Sequence, residues 1–394
     1  MRKQTIRDID VSGKRVFLRV DYNVQFINGR ILDDHRLRES IPTIRALQAA
    51  GSRIIICSHR GRPGGQVVEE LRNAPVAKYL AELLEHEVKS IGCCIGPEAE
   101  AAVEALEPGE LLLLENVRFH PEEEANDPGF ARELAKLADV YVSDAFGTAH
   151  RAHASVVGVP SILPGVAGLL MEREVNYLSK VTDNPERPFG LILGGAKIAD
   201  KLAILEFLCD RADVICVGGG IANTFLMAQG IDVGASLAEP ERIDDAFKVM
   251  RKAAERPGLK LVLPRDVVIS DPAGNTVDAV SVNRVPPDFR ILDIGPETID
   301  DFRSALAPMK TIAWNGPMGF FEREPFDRGS LEVARLLANL PDAITVVGGG
   351  ETAAAVQRAD VMDKISHCST GGGASLEMLE GRTLPGLEVL LDAE

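Results

Sequence analysis

Short apolar segments alternate with longer amphipathic segments along the first 160 residues of the chain. A short apolar run is typical of a buried strand, and apolar residues three or four positions apart are typical of a helix. The pattern predicts strands at 15–20, 53–58, 110–114 and 140–143. It predicts helices at 38–50, 74–86, 98–106 and 130–138. Strands that alternate with helices favour a parallel sheet built from βα units.

The strands predicted in the second half of the chain end in glycine. A run at 189–193 reaches Gly194-Gly195 and then a predicted helix at 196–208. Strands at 213–217, 311–314, 344–347 and 365–368 lead into glycine clusters at 218–220, 316–319, 348–350 and 371–373. Backbone at such turns approaches a ligand closely, and helix N-termini favour anions. The pattern therefore predicts a nucleotide site with the phosphates along helix N-termini.

Two breaks rich in proline and glycine, at 164–168 and 184–188, enclose an amphipathic segment at 169–181. A helix between two such breaks is typical of a connector and hinge between domains. The length of 394 residues also favours two domains, because a single core rarely grows beyond about 250–300 residues.

Polar and basic side chains follow the strands predicted in the first half. They are Asp21, Asn23, His59, Arg62, Arg118 and Arg151, and the loop before the first helix adds Arg36. Because the carboxyl ends of parallel strands meet at one edge of a sheet, we expect these side chains at one rim. A single arginine is more often part of a surface ion pair, but four basic loops at one rim favour a bound anion. Hydrogen-bond acceptors on Asp21 and Asn23 suit substrate hydroxyls, so the rim predicts a small, hydroxylated, multiply anionic metabolite.

Lys197 and Lys201 lie one turn apart at the start of the helix predicted at 196–208. Backbone N–H groups, the helix dipole and two ammonium groups would together form a phosphate cradle. The stretch is not a P-loop, because Gly195 is followed by Ala-Lys-Ile instead of Gly-Lys-Ser/Thr. A tight packing turn with two solvated lysines explains the same residues, so this stretch alone leaves both interpretations open.

Glu351 and Thr352 open the helix predicted after the glycines at 348–350. A carboxylate there could hold Mg²⁺, and a hydroxyl could hold a phosphate oxygen. Gly348-x-Gly350-x-x-Ala353 also matches the dinucleotide fingerprint, but it lies in the last βα unit and no ribose-binding acid follows the next strand. A nicotinamide-dependent dehydrogenase is therefore an alternative that an assay with NAD would test.

The composition indicates which binding partners and which cellular compartment to expect. The net charge of −16 argues against nucleic acid and acidic membrane surfaces. No apolar run reaches the roughly 20 residues of a membrane span, and the first residues lack the apolar core of a signal peptide. Six cysteines without a CxxC pair are typical of reduced thiols, so we expect a cytoplasmic protein.

Eleven sequence blocks resemble the phosphoglycerate kinase family, in the family's order and over essentially the whole chain. They are RVDYNV (19–24), DDHR (33–36), SHRGRP (58–63), LLENVRF (113–119), SDAFGTAHRAHAS (143–155), GGAKIADK (194–201), GGGIANTF (218–225), DIGP (293–296), WNGPMGFFE (314–322), GGGET (348–352) and STGGGASLE (369–377). The resemblance implies an α/β fold of two doubly wound, Rossmann-like parallel-sheet lobes joined by a helical hinge. It implies reversible phosphoryl transfer from 1,3-bisphosphoglycerate to MgADP, giving 3-phosphoglycerate and MgATP, by a monomer.

The same resemblance assigns roles to residues of this chain. Substrate-binding residues would be Asp21, Asn23, Arg36, His59, Arg62, Arg118 and Arg151. Nucleotide-binding residues would be Gly195, Ala196, Lys201, Gly219, Asn315, Glu322, Gly349, Gly350, Glu351 and Thr352, with Glu351 also binding the metal. Catalytic residues would be Arg36, Lys197 and Gly372. Glu351 departs from the family pattern, because it replaces the usual aspartate and adds a methylene.

The implied domains are a substrate-binding domain at 1–168, a connecting helix and hinge at 169–187 and a nucleotide-binding domain at 188–379. The C-terminal tail at 380–394 is expected to pack on the first domain. Besides the dehydrogenase, a non-enzymatic two-lobed binder of anionic metabolites is an alternative. Such a binder would not require Lys197, Lys201 and Glu351.

Overall fold

The computed structural model describes residues 2–27, 29–274 and 277–393, and the chain divides into two compact units. The first unit extends from the N-terminus to Asn176 and resumes at Thr383, and the second unit is Tyr177–Arg382. The ends of the predicted domain ranges, Met1 and Glu394, lie outside the described residues. The assignment of one substrate to each domain range stays a prediction.

Among its described residues the first unit contains eight strands, six of which form a parallel sheet at its centre. Its strands are β1 (Arg15–Arg19), β2 (Phe26–Ile27), β3 (Arg30–Ile31), β4 (Arg53–Cys57), β5 (Val88–Ser90), β6 (Leu111–Leu113), β7 (Val140–Ser143) and β8 (Gly165–Ala167). Six of them form one parallel sheet in the order β5-β6-β4-β1-β7-β8, and β2 and β3 pair as a hairpin. The strand order reverses direction at β1, as in other doubly wound sheets.

Helices connect these strands. The helices of the first unit are α1 (His35–Ala49), α2 (Ala74–Leu84), α3 (Pro97–Glu104), α4 (Pro121–Glu124), α5 (Pro128–Ala135) and α14 (Pro385–Glu388). Short 3₁₀ helices occupy Glu69–Leu71, Val117–Phe119, Phe146–Thr148 and Val159–Ser161, and a π-helix occupies Ala154–Gly158. The division between the two units falls inside α6 (Leu169–Thr182).

Burial on both faces explains why the central strands are continuous apolar runs. Val16 and Leu18 of β1 belong to a buried cluster that includes apolar residues of α1 and α2. The alternate residue Phe17 is also fully buried and stacks on Tyr141 of β7, with the ring centroids 6.0 Å apart. Such strands are typical of a parallel sheet covered on both faces.

The first turn of α6 is anchored in the first unit by side chains from other elements. Asp144 Oδ1 accepts hydrogen bonds from the backbone of Leu170 (2.9 Å) and Met171 (3.1 Å), and Thr43 Oγ1 accepts one from Leu169 (2.9 Å). These bonds satisfy N–H groups that a helix start leaves without partners. The side chain of a strand-end aspartate therefore fixes where the connecting helix begins.

The C-terminal segment lies in the same unit as the N-terminus. Leu391 N donates to Gly165 O of β8 (2.9 Å), and Gln4 N donates to Leu391 O (2.8 Å). Lys3 Nζ also forms an ion pair with Asp392 at 2.7 Å. These bonds attach both chain ends to the edge of the first sheet.

The second unit contains a larger set of strands. They are β9 (Phe189–Leu193), β10 (Val214–Val217), β11 (Lys260–Val262), β12 (Asp266–Ser270), β13 (Val277–Ser281), β14 (Arg290–Ile294), β15 (Thr311–Asn315), β16 (Ile344–Gly348) and β17 (His367–Cys368). Six form a parallel sheet in the order β11-β10-β9-β15-β16-β17. Counted along the chain this order is 3-2-1-4-5-6, which is that of dinucleotide-binding domains. The other three form an antiparallel sheet, β13-β12-β14, inserted after the third strand.

Most helices of the second unit follow strands of its parallel sheet, and α10 follows β14 of the antiparallel sheet. They are α7 (Leu202–Leu208), α8 (Gly219–Ala228), α9 (Ile243–Glu255), α10 (Pro296–Leu306), α11 (Arg328–Ala338), α12 (Gly350–Arg358) and α13 (Gly373–Leu379). Short 3₁₀ helices occupy Ala199–Lys201, Pro240–Arg242, Val282–Arg284 and Met362–Lys364. Within the described part of the chain, no helix has both the length and the apolar character that crossing a membrane requires.

The fold class predicted from the sequence is confirmed, and the structure corrects three local predictions. Arg36, predicted in the loop before the first helix, is the second residue of α1. The helix predicted at 196–208 begins only at Leu202, after a loop and one 3₁₀ turn. The break predicted at 164–168 contains the edge strand β8. The inserted antiparallel sheet was not predicted.

Candidate active site

The carboxyl ends of four adjacent strands bring the basic residues of the first unit to one rim. The strands β6, β4, β1 and β7 are neighbours, and each leads into a loop that carries predicted site residues. The first of these, Asp21, contacts several others. Its Oδ2 lies 3.0 Å from Arg36 Nη1, its Oδ1 lies 3.9 Å from His59 Nδ1, and Oδ1 accepts the backbone N–H of Asn23 at 3.1 Å. The structure therefore groups these four predicted residues.

Arg118 carries a buried donor that no group in the described part of the chain satisfies. Its side chain is 3% exposed, Nη1 donates to Gly61 O at 2.8 Å, and Nε lies 3.2 Å from Glu124 Oε1. The buried Nη2 has no hydrogen-bond partner among the described residues. Burial, and then the charge of Arg151, lowers the pKa of Arg118 to about 10. A buried guanidinium with an unused donor favours an anionic ligand at this position.

His59 is neutral in this environment. Burial first, and then the positive charges of four arginines, hold its pKa well below the ordinary value. These arginines are Arg19, Arg118, Arg151 and Arg36. Arg19 Nη2 lies 3.3 Å from His59 Nδ1, and a guanidinium can only donate, so Nδ1 accepts and the ring proton is on Nε2. His59 can therefore donate a hydrogen bond to a ligand through Nε2–H.

A buried polar chain behind His59 was missed at the sequence level. Arg19 Nε donates to Ser155 Oγ (2.8 Å), which donates to Glu123 Oε1 (2.6 Å). Glu123 is fully buried, and burial raises its pKa despite the nearby Arg19. The signal available in the sequence was an arginine inside the apolar strand β1.

Arg62 and Arg151 are the remaining predicted substrate-binding residues of the first unit. Arg62 is exposed, and among the described residues it makes no hydrogen bond or ion pair. Arg151 is half-buried, and its Nε donates to His150 Nε2 at 3.3 Å. Arg62 therefore lies in a loop at the rim without a fixed protein partner.

A cleft of about 690 Å³ lies at the carboxyl ends of the second parallel sheet. Five of the predicted nucleotide residues line it: Gly195, Ala196, Gly219, Glu322 and Glu351. Most other lining residues are apolar, and the loop at 235–238 and strand β14 contribute many of them. An apolar cleft with a few polar groups is typical of small-molecule sites. The inserted sheet, which the sequence did not predict, thus forms part of the site.

Close backbone packing requires glycine at one point of the cleft. Gly219 has a φ of +63°, and a Cβ there would lie 2.8 Å from both the N and the O of Gly195. Gly195 itself has a φ of +104°, and its N–H donates to Pro317 O at 2.8 Å. The two glycine loops therefore approach each other as closely as backbone allows.

Asn315 connects three elements beneath this site. Its Nδ2 donates to Gly348 O at 2.7 Å, and its Oδ1 accepts from Lys201 Nζ. The next residue, Gly316, donates its N–H to Thr352 Oγ1 at 2.8 Å. Burial lowers the pKa of Lys201, and Asp200, Glu351 and Glu380 oppose that shift. Lys201 is thus a buried cation that is hydrogen-bonded at the end of β15.

The remaining predicted residues are distributed around the helix starts. Gly349 precedes α12, Gly350 is its first residue, and Glu351 in its first turn is exposed. Gly372 precedes α13 with a φ of +50° and open space around its Cβ position. Lys197 is exposed and does not line the cleft. The described residues contain no group of three or more His, Cys, Asp or Glu that could hold a metal ion.

The fold and these two sites define a class, that of α/β proteins that bind anionic ligands at the carboxyl ends of doubly wound sheets. The family model described as "Phosphoglycerate kinase" matches residues 6–382, and the chain belongs to this family. This membership confirms the family predicted from the sequence blocks.

Individual relatives agree with this assignment. Over 394 residues that cover both chains completely, the sequence is 53% identical to a protein of Pelotomaculum thermopropionicum named phosphoglycerate kinase. It is 53% identical over 397 residues to the protein of that name from Roseiflexus sp. strain RS-1, again with 100% of both chains covered. A solved phosphoglycerate kinase from Coxiella burnetii matches with a TM-score of 0.89 at 39% identity, covering 98% of each chain. The one from Pyrococcus horikoshii OT3 matches with a TM-score of 0.85 at 34% identity, again over 98% of each chain.

Proposed function

We propose that this chain catalyses reversible phosphoryl transfer from the acyl phosphate of 1,3-bisphosphoglycerate to ADP, giving 3-phosphoglycerate and ATP in glycolysis and gluconeogenesis. It is then a phosphotransferase whose acceptor in the reverse direction is a carboxyl group. The observation that carries the proposal is a pair of sites with matching chemistry in a chain 53% identical to named phosphoglycerate kinases. One site has unused arginine donors, and the other is a glycine-lined apolar cleft.

The substrate part of the proposal uses the rim of the first unit. Arg118 offers its unused donor to an anionic oxygen, and neutral His59 donates through Nε2–H. Arg36, Arg62 and Arg151 supply further positive charge. Asp21 and Asn23 offer oxygens to the substrate hydroxyl, although Asn23 Oδ1 already accepts the N–H of Gly61 at 2.8 Å.

The nucleotide part uses the cleft of the second unit. The apolar walls suit a base, Glu322 suits ribose hydroxyls, and the first turn of α12 suits phosphate oxygens. Gly195, Ala196 and Gly219 bring backbone to the ligand, while Lys201 and Asn315 support the floor. Gly349, Gly350 and Thr352 contribute the helix N-terminus.

The reaction needs positioning and charge neutralisation more than covalent chemistry by the protein. An oxygen of the ADP β-phosphate attacks the phosphorus, and the bond from phosphorus to the acyl oxygen breaks. In this proposal Arg36, Lys197 and the backbone N–H of Gly372 stabilise the charge on the transferring group in an in-line displacement.

Magnesium fits the residues of the cleft. Mg²⁺ is usually held by one or two carboxylates together with substrate phosphates and water, and Glu351 offers one exposed carboxylate at the cleft. When bound, Mg²⁺ would neutralise charge on the nucleotide phosphates. No larger set of protein ligands is needed for this role.

Replacing Glu351 with Gln is expected to raise the Mg²⁺ concentration for half-maximal rate by about tenfold. The amide keeps the shape of the side chain but removes the charge that attracts the ion. Rates measured against free Mg²⁺ at saturating nucleotide would show the shift, with Glu324→Gln, an exposed glutamate paired with Arg358, as the control. An unchanged Mg²⁺ dependence would remove Glu351 from the metal site.

Domain closure is the next part of the proposal. The proposed substrate-binding residues belong to the range 1–168, and the proposed nucleotide-binding residues belong to the range 188–379. Phosphoryl transfer needs the reacting atoms within about 3–3.5 Å of each other, in a site with little water. Each ligand alone contacts one unit, so we expect the radius of gyration in solution scattering to fall markedly only with both 3-phosphoglycerate and an inert MgATP analogue. Full compaction with one ligand, or none with both, would contradict the proposal.

A Gly-Gly pair placed inside α6 should lower kcat, because it disturbs the connecting helix about which the units close. The binding constants for 3-phosphoglycerate alone and for the nucleotide alone should stay unchanged.

A coupled assay for ATP-dependent use of 3-phosphoglycerate tests the function directly. We expect turnover, and none when NAD replaces ATP. Turnover with NAD alone would indicate the dehydrogenase alternative, and binding of both ligands without turnover would indicate a binding protein.

We also infer a monomer that works in the cytoplasm. None of the six cysteines, all of which the structure describes, is part of a disulfide, and four of them are buried. Reduced thiols of this kind are typical of a reducing compartment. Sedimentation equilibrium would test the monomer, and a dimer would contradict it.

A further inference from the structure

A buried carboxyl group belongs to one wall of the nucleotide cleft, because Asp293 is among the residues that line it. Asp293, in β14, is 2% exposed. Its Oδ1 accepts the N–H of Ile294 at 2.9 Å, and its Oδ2 accepts the N–H of Gly329 at 2.7 Å. Gly329 is the second residue of α11, whose own cap residue Asp327 makes no side-chain cap hydrogen bond. Asp293 therefore caps α11 from a different strand, because it accepts an N–H group that the helix start leaves without a partner. Burial raises the pKa of Asp293 to about 8, so the cap acts through this hydrogen bond and does not require a charge.

Two glycines make room for this carboxylate. A Cβ on Gly319 would lie 2.4 Å from Asp293 Oδ1, and a Cβ on Gly329 would lie 2.3 Å from the same atom. Neither glycine has a left-handed φ, so space and not backbone conformation requires them. The carboxylate is thus packed tightly between two points of the chain that lie ten residues apart.

The chain just before α11 forms a wall of the cleft. Five of its residues line the cleft: Pro317, Met318, Gly319, Phe320 and Glu322. Elsewhere this wall segment, 317–322, accepts the N–H groups of Gly195 and Gly219 at Pro317 O and Met318 O, both at 2.8 Å, and near Asp293 it has two further attachments. Phe320 N donates to Leu292 O of β14 at 2.7 Å, and Met318 N donates to Ser330 Oγ of α11 at 2.9 Å. Both attachments depend on the relative position of β14 and α11, which Asp293 joins.

We propose that Asp293 is a positioning residue for the nucleotide, because it fixes β14, α11 and the wall segment in one arrangement. Loss of its bond to Gly329 would leave a buried N–H without a partner and loosen the wall that carries Glu322. The proposal rests on the proposed function of the cleft as a nucleotide site.

The chain offers a matched control in the same unit. Asp266 is 6% exposed and caps α10 by accepting the N–H groups of Glu297 (3.0 Å) and Thr298 (2.7 Å). It also packs against a glycine, because a Cβ on Gly295 would lie 2.2 Å from Asp266 Oδ2. Asp266 does not line the cleft. Its replacement removes a comparable buried cap without touching the wall segment.

The experiment compares Asp293→Asn with Asp266→Asn in the full chain. Thermal unfolding, calorimetry with MgADP and with 3-phosphoglycerate, and steady-state kinetics are measured for both. We expect a lower Tm for both variants, but only Asp293→Asn raises Kd and KM for ADP, by about tenfold, with little change in kcat or in 3-phosphoglycerate affinity. A third variant, Gly329→Ala, displaces the same carboxylate without changing a cleft-lining residue, and it should raise Kd for ADP in the same direction. If Asp293→Asn does not fold, the Kd of Gly329→Ala for ADP decides whether Asp293 positions the nucleotide.

Equal changes in ADP affinity for the two Asp→Asn variants, or an unchanged affinity in Gly329→Ala, would overturn the positioning role while leaving the proposed function intact. Absence of ADP binding by the unsubstituted chain would overturn the proposed function, and this proposal with it.

Discussion

Replacing Arg36 with alanine is expected to lower kcat by roughly 10²-fold or more, as the loss of one transition-state donor does in other enzymes. Arg36 is the second residue of α1, and its guanidinium lies 3.0 Å from Asp21. Its side chain keeps about a third of its surface exposed, so it is not fully used by that contact. Its charge also contributes to keeping His59 neutral. The effect on kcat should therefore exceed that on substrate binding.

The matched control is Arg38→Ala, two residues further along α1. Arg38 is more exposed and pairs with Asp34 at 2.7 Å, an arrangement that contributes little to stability or function when solvated. Its replacement should leave kcat within about twofold. If Arg36→Ala raised only KM for 3-phosphoglycerate, its role would be uniform binding of substrate and not stabilisation of the transition state.

The residues at the strand ends could be predicted because the topology of parallel sheets determines where they lie. A strand that is recognised by its apolar run places the next few residues at the carboxyl edge, whatever the strand's neighbours are. The residues at the rim could therefore be predicted without knowing the strand order β6-β4-β1-β7. Arg19 is different, because its role depends on Ser155 and Glu123, which are more than a hundred residues away along the chain.

The late start of α7 shows a limit of periodicity. Ile198 is fully buried, so it satisfies a helical pattern from a loop position. The backbone before it bonds to distant segments instead of forming the first turn of α7. Gly195 N donates to Pro317 O, and Gly195 O accepts from Ile221 N at 3.1 Å. Such partners come from distant segments, and a local pattern cannot reveal them. The same is true of the wall that β14 adds to the cleft.

The environment of Lys201 could not be predicted from the helical pattern. The sequence left two interpretations open, a phosphate cradle at a helix start and a packing turn with two solvated lysines. The structure buries Lys201 and joins its ammonium group to Asn315, which in turn holds Gly348 at the end of β16. A buried cation of this kind acts on a ligand both through its charge and through the geometry of its neighbours.

Replacing Lys201 with alanine is therefore expected to weaken MgADP binding by roughly 30- to 150-fold, or about 2–3 kcal/mol, the usual cost of losing a hydrogen bond to a buried charge. The affinity for 3-phosphoglycerate should stay within about twofold, because its proposed residues lie in the other unit. Lys201→Met keeps most of the volume without the charge, so a similar loss would assign the effect to the charge and a small loss to packing. Lys252→Ala, which removes a half-buried lysine paired with Asp210 in the same unit, should bind both ligands normally. Calorimetry that showed equal losses for the two ligands in Lys201→Ala would contradict separate sites on separate units.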